Sequence, residues 1–125
     1  MIVKINWGTG GMSVDADYLL EEMTLQNFKR WCKLLAQFGG EDAKRDMLAA
    51  CQKEIQFRQD EKQSMESSIR DFQGKLDGSI PTQLAPKYLR EQTRLLTKHY
   101  NGSARKLSNL EKKYTCLKEV VSNGV

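Results

Sequence analysis

The chain is poor in the residues that staple small folds or run metal chemistry. It has three cysteines, Cys32, Cys51 and Cys116, an odd number with no C-x-x-C spacing, and a single histidine, His99. That pattern excludes a zinc module and a disulfide framework and fits a reducing compartment. Its two prolines, Pro81 and Pro86, lie in one short stretch, so nothing outside that stretch forbids long helices. Long hydrophobic runs are missing as well. Residues 1–7 are apolar only briefly before Gly8-Thr9-Gly10-Gly11, too short for a secretory leader or a membrane span. The expectation is a cytoplasmic protein without membrane association.

What is present is charge and periodicity. The 125 residues carry 20 Lys+Arg against 16 Asp+Glu, a net +4, with 39% apolar content, which describes a single domain over residues 1–125. A chain of this size buries roughly two thirds of its unfolded surface and folds without a staple.

Residues 1–7 alternate, with Met1, Val3, Ile5 and Trp7 on one side and Lys4 and Asn6 on the other, the period of a half-buried strand. The glycines after it permit a sharp reversal. A second extended piece over residues 18–23 would complete a small hairpin; Tyr18-Leu-Leu-Glu-Glu22 reads equally as a helical turn. Thr24 reads as an N-cap. Leu25, Phe28, Cys32 and Leu35 then form one helical stripe, widened by Trp31, Leu34 and Phe38, and Gly39-Gly40 ends it. Residues 1–40 thus form an N-terminal β/α module.

From Leu48 the sequence steps by threes and fours: Leu48, Cys51, Ile55, Arg58, Lys62, Met65, Ile69, Phe72, Leu76. This is a heptad seam with two polar interruptions. A loop with Gly78 and both prolines intervenes, and the stepping resumes with Leu89, Thr93, Leu96, Tyr100, Ser103, Leu107, Leu110, Tyr114, Leu117 and Val121. Folding back at the loop opposes residues whose numbers sum to 165, such as Leu76 with Leu89, Met65 with Tyr100, Ile55 with Leu110 and Leu48 with Leu117. Any two heptad seams give some constant sum; the weight lies in a short loop falling at the centre of symmetry. The fold expected is therefore mostly α: a long, elongated antiparallel helical hairpin, coiled-coil-like, of helices 41–77 and 86–122, with a short N-terminal strand/hairpin element and one additional helix. Ala43, Met47, Ala50 and Phe57, on a second face of the first long helix, are expected to receive the N-terminal module.

The middle layers, Lys62 opposite Ser103 and Arg58 opposite Leu107, are weak and adjoin Asn101-Gly102. A kink or break there is one expectation. Cationic stems that snorkel past a thin layer are the plainer one.

Candidate chemistry is sparse. Gly8-x-Gly10-x-x-Ser13 faintly suggests a phosphate loop but lacks its third glycine and its Lys-Ser/Thr, so a turn is the better reading. Asp15, Asp17, Glu21 and Glu22 lack calcium-loop spacing. His99 has no nucleophile or carboxylate at a motif spacing, the cysteines lack activating partners, and Trp31 belongs with Phe28 and Leu35 in a core rather than on a stacking platform. No catalytic residue, cofactor or metal is expected.

Charge is the distinctive feature of the sequence. Residues 1–80 hold 11 Lys+Arg and 13 Asp+Glu, whereas residues 81–125 hold 9 and 3. At about 100° per residue, Lys87, Arg90, Arg94, Lys98, Arg105 and Lys112 fall within roughly 80° of one another, opposite the apolar seam. On the first long helix, Glu54–Arg58, Glu66–Arg70 and Asp71–Lys75 have favourable i,i+4 spacing; on the last, Arg90–Arg94 and Arg94–Lys98 repel, with Glu91 the one acid close by. The six cations are the expected partner-binding residues. The leading expectation is a non-enzymatic interaction protein acting by occupancy, docking the hairpin on an acidic protein or nucleoprotein partner as an inhibitor or accessory factor of the kind mobile elements carry. Direct sequence-independent nucleic-acid binding is the alternative, and a structural coiled-coil subunit the third. Apolar residues left off the seam make a homodimer a further expectation.

Overall fold

A computed structural model describes residues 2–7 and 10–123. Met1, Gly8 and Thr9, which figured in the expected strand and reversal, lie outside the described residues, as do the Asn6 and Trp7 side chains. The architecture is mostly α, with long helices and one small antiparallel sheet: β1 (Ile2–Trp7), β2 (Gly10–Asp15), α1 (Leu25–Phe38), α2 (Glu41–Asp77) and α3 (Pro86–Asn123). The chain divides into two compact units, Met1–Gln56 with Ser108–Val125, and Phe57–Leu107.

In the first unit β1 and β2 pair from Ile2↔Asp15 to Trp7↔Gly10. Alternation turns Val3 and Ile5 fully inward and Met12 and Val14 partly so. The second strand is therefore residues 10–15, and the extended reading of residues 18–23 is corrected: Tyr18–Glu22 is a single π-helical turn, closed by the Met23 N–H donating to the Tyr18 carbonyl at 3.0 Å. Leu19 and Leu20 are consecutive and both buried. A strand would send them to opposite faces, whereas a helical turn can bury both. The Thr24 hydroxyl then accepts the Asn27 N–H at 3.2 Å and caps α1. Gly39 ends α1 with an ordinary negative φ of −78°. It is needed for closeness rather than for handedness: a Cβ there would lie 2.5 Å from the Leu35 carbonyl oxygen.

Phe28, Trp31, Cys32 and Leu35 of α1 form one core cluster with Val3 and Ile5 of the sheet, Met47 and Cys51 of α2, and Leu110 and Leu117 of α3. Ala43 and Ala50 join it as expected. Phe57 does not, and at 56% exposure it corrects that assignment; the last α2 side chain packed on the cluster is Ile55. Within this unit α2 and α3 meet through Cys51, whose thiol faces the Leu110 carbonyl at 3.9 Å, and through Gln52, which donates to the Tyr114 hydroxyl at 2.6 Å. Burial pushes the Cys32 and Cys51 thiols up to about 12.

Lys113 is a fully buried charged side chain against this core. Its ammonium donates to the Leu19 and Leu20 carbonyls at 2.8 Å each and sits 5.4 Å from the centre of the Phe28 ring. The carbonyls of a terminal helical turn lack N–H donors of their own, and buried ones must find donors elsewhere. Lys113 supplies them from α3.

In the second unit the loop is built by local chemistry. Gly78 takes the left-handed conformation at φ 89°, the Ser79 N–H donates to the Asp77 carboxylate at 2.8 Å, and the Ile80 N–H reaches back to the Gly74 carbonyl at 3.0 Å. Pro86 opens α3 where a missing N–H does no harm. The helices run antiparallel: Tyr100 donates to Glu66 at 2.7 Å, and Ser103 to Glu61 at 2.9 Å. These partners lie one residue from the expected Met65–Tyr100 and Lys62–Ser103 layers. Polar neighbours reach across beside the seam positions while Leu89 and Leu107 are buried.

No break occurs at Asn101–Gly102; α3 is continuous there. The middle layer is held by polar contacts, with Arg58 on Glu61 at 3.2 Å and the Lys62 ammonium 5.6 Å from the centre of the Tyr100 ring. Of the intrahelical pairs expected on α2, Asp71–Lys75 forms at 2.9 Å, whereas Glu66 serves Tyr100 instead of Arg70.

Candidate docking surface on the last helix

Five of the six cations singled out by spacing, Lys87, Arg90, Arg94, Lys98 and Arg105, lie exposed on α3 within the Phe57–Leu107 unit. Lys112 is exposed on the part of α3 that belongs to the first unit. The side chains are positioned by the seam: burying Leu89, Ser103 and Leu107 turns the opposite face of α3 to solvent.

They are not equivalent. Arg94 is held by Glu91 through two bonds of 2.6 and 3.2 Å, which keep the Glu91 carboxyl below its usual range. Arg105 donates to the Asn101 carbonyl at 3.4 Å. Among the described residues, Lys87, Arg90, Lys98 and Lys112 make no ion pair. Over residues 86–107 there are six Lys+Arg and one acid, Glu91.

Beside this face the second unit has an open groove of about 570 Å³ lined by Lys98, His99, Gly102, Arg105 and Lys106, with Met65 and Leu95 as its apolar part. Further along α3 and in the loop before it, Leu84, Tyr88 and Leu95 are 44%, 49% and 36% exposed.

The other sequence candidates separate from this surface. Gly10 and Ser13 lie in β2, paired with β1, so they form no loop leading into a helix. Asp15 accepts the Asp17 N–H at 3.0 Å. Trp31 is buried in the core. With pKa values near 12, Cys32 and Cys51 are protonated at neutral pH and are poor nucleophiles. Among the described residues no cluster of His, Cys, Asp or Glu could hold a metal ion, and no helix is long and apolar enough to cross a membrane.

Sequence reasoning missed Lys113 and the use of Glu61 by both Arg58 and Ser103. Lys113 gave a signal, since it lies three residues after Leu110 and four before Leu117 and so shares their face. No family model, curated protein or solved structure matches the chain.

Proposed function

We propose that the protein acts by occupancy, docking the cationic outer face of α3 on an acidic protein or nucleoprotein partner as an inhibitor or accessory factor in the cytoplasm, without chemistry of its own. The observation that carries this reading is the imbalance over residues 86–107 of α3: exposed cations that repel along one face, with a single acid, Glu91, already used by Arg94. Such an arrangement costs helix stability and raises the local positive potential. A partner bearing negative charge relieves the first and uses the second.

The test is affinity capture with the wild type and with a variant in which Arg94, Lys98 and Arg105 are all changed to Glu. Helicity should hold, capture should be lost, and wild-type capture should weaken as salt shortens the screening length from about 10 Å at 0.1 M to about 3 Å at 1 M. Nuclease treatment separates the two partner classes: insensitive capture identifies a protein, sensitive capture a nucleic-acid bridge. Undiminished capture by the folded triple variant would refute the proposal.

A further inference from the structure

The exposed face of α3 has a finer pattern than a line of charge. Tyr88, Leu95 and Gly102 are seven residues apart, with His99 and Lys106 following Leu95 and Gly102 by four, so the five share one strip of the helix. Four of these strip residues are preceded by a cation: Lys87 before Tyr88, Arg94 before Leu95, Lys98 before His99, and Arg105 before Lys106. A partly apolar strip thus runs beside a cationic border in which Lys87–Arg94 and Lys98–Arg105 are each one heptad, about 10.5 Å, apart and Arg94–Lys98 about 6 Å.

Gly102 is the second observation. A Cβ built on it meets no atom within 4 Å, so no neighbour within the protein requires glycine there, and its φ is not positive. Helix interiors disfavour glycine. The missing side chain instead opens the groove between Leu95, His99 and Lys106, where Met65 contributes apolar surface and Glu61 is occupied by Arg58 and Ser103.

We infer that this strip and the groove at Gly102 receive an amphipathic helix of a partner protein, whose apolar stripe lies on Tyr88 and Leu95, whose side chain enters at Gly102, and whose flanking Asp/Glu residues meet Lys87, Arg94, Lys98 and Arg105. An apolar stripe bordered by charge at heptad spacing is how one helix selects another of opposite flanking charge. Nucleic acid fits less well. Its phosphates offer Tyr88 and Leu95 no apolar counterpart. The inference rests on the reading that the α3 cations serve binding, and names the partner chemistry.

The experiment titrates the full chain with three probes: a synthetic helix of about three heptads with Leu at core and Glu at flanking positions, its isomer with Lys for Glu, and a duplex DNA of similar length. Gly102→Leu should fill the groove and Leu95→Asp should spoil the strip; each should weaken binding of the acidic helix by about tenfold or more, which is at least 1.4 kcal/mol. Gly102→Ala, too small to fill the groove, should bind as the wild type does, and far-UV circular dichroism should show all three folded. Wild-type-like binding by folded Gly102→Leu and Leu95→Asp, with loss only in the Arg94/Lys98/Arg105→Glu variant, would overturn the groove while leaving the cationic reading intact. Loss in none of these variants would overturn both. No detectable binding of the acidic helix, binding no better than its Lys isomer, or tighter binding of DNA would also overturn the inference.

Discussion

Replacing Lys113 by Met tests whether a buried ammonium holds the N-terminal module together. Methionine keeps most of the stem's volume beside Phe28 and deletes the charge. The Leu19 and Leu20 carbonyls, each now 2.8 Å from the ammonium, would then have no donor from α3. A buried acceptor left unsatisfied costs about 1–3 kcal/mol, so the pair costs about 2–6 kcal/mol. Against this stands relief from burying a charge. Burial holds the Lys113 pKa below its ordinary 10.5 although Glu21 pulls it upward, so desolvation outweighs the stabilisation of the charge there. The expected net loss is about 2–4 kcal/mol. Alanine would add a cavity cost of about 2–5 kcal/mol and risks unfolding the unit outright, so Met is the informative change. Urea unfolding followed by the fluorescence of Trp7 and Trp31, both in this unit's stretch of chain, reports it directly, and at an m-value near 2 kcal/mol/M the midpoint should fall by about 1–2 M. The pH dependence gives an independent check. A lysine whose folded pKa is lowered is charged at a cost below that pKa, and its contribution rises as pH climbs towards 10.5, because the unfolded chain still holds a proton that the folded one has released. Lys113→Met should remove that rise. A variant within about 0.5 kcal/mol of the wild type, or more stable, would show that the charge adds nothing net, as happens for some buried ions.

The thiols have the opposite sign. Cys32 and Cys51 titrate at about 12 when folded against 9.0 otherwise, so their contribution is complete below pH 9 and falls by about 1.4 kcal/mol per pH unit per thiol above it; unfolding midpoints at pH 8, 9 and 10 should show a shallower decline in Cys51→Ala. Leu110→Ala, in the core at 1% exposure, should cost about 2–5 kcal/mol, whereas Phe57→Ala should stay within about 0.5 kcal/mol; similar losses from the two in denaturant titrations would contradict the burial pattern.

Local signals carried far in this chain. Thr24 announced a helix because its hydroxyl needs only an N–H three residues on, and the seams announced a hairpin because heptad spacing survives whatever the helices touch. The cations of α3 were legible for the same reason: once residues 86–123 are helical, angle alone sets their face. What escaped depends on partners distant in sequence. β2 has two glycines and only Met12 and Val14 alternating, too little to outweigh the apolar Tyr18-Leu-Leu that follows. Lys113 lies on the face of Leu110 and Leu117, but its partners, the carbonyls of Leu19 and Leu20, come from more than ninety positions away. Gly102 reads as a helix breaker, and only the packed helix shows that its missing side chain leaves a groove.

The first compact unit is assembled from both ends of the described chain, and this orders events during synthesis. Phe28, Trp31 and Leu35 leave the ribosome long before Leu110, Lys113 and Leu117, the residues that close their core. At about 5–20 residues per second, the roughly 80 residues between α1 and Leu117 take about 4–16 s. Throughout that interval the α1 stripe has Val3, Ile5, Met47 and Cys51 available but lacks its α3 cover, and the carbonyls of Leu19 and Leu20 await their donor. The α2–loop–α3 segment of residues 57–107 emerges in the meantime, with its pairing partners close in sequence and its loop already set by Gly78. Local closure precedes long-range closure, so the hairpin loop brings the late residues back to the early ones, and its speed of formation determines how long the N-terminal core stays open to other chains.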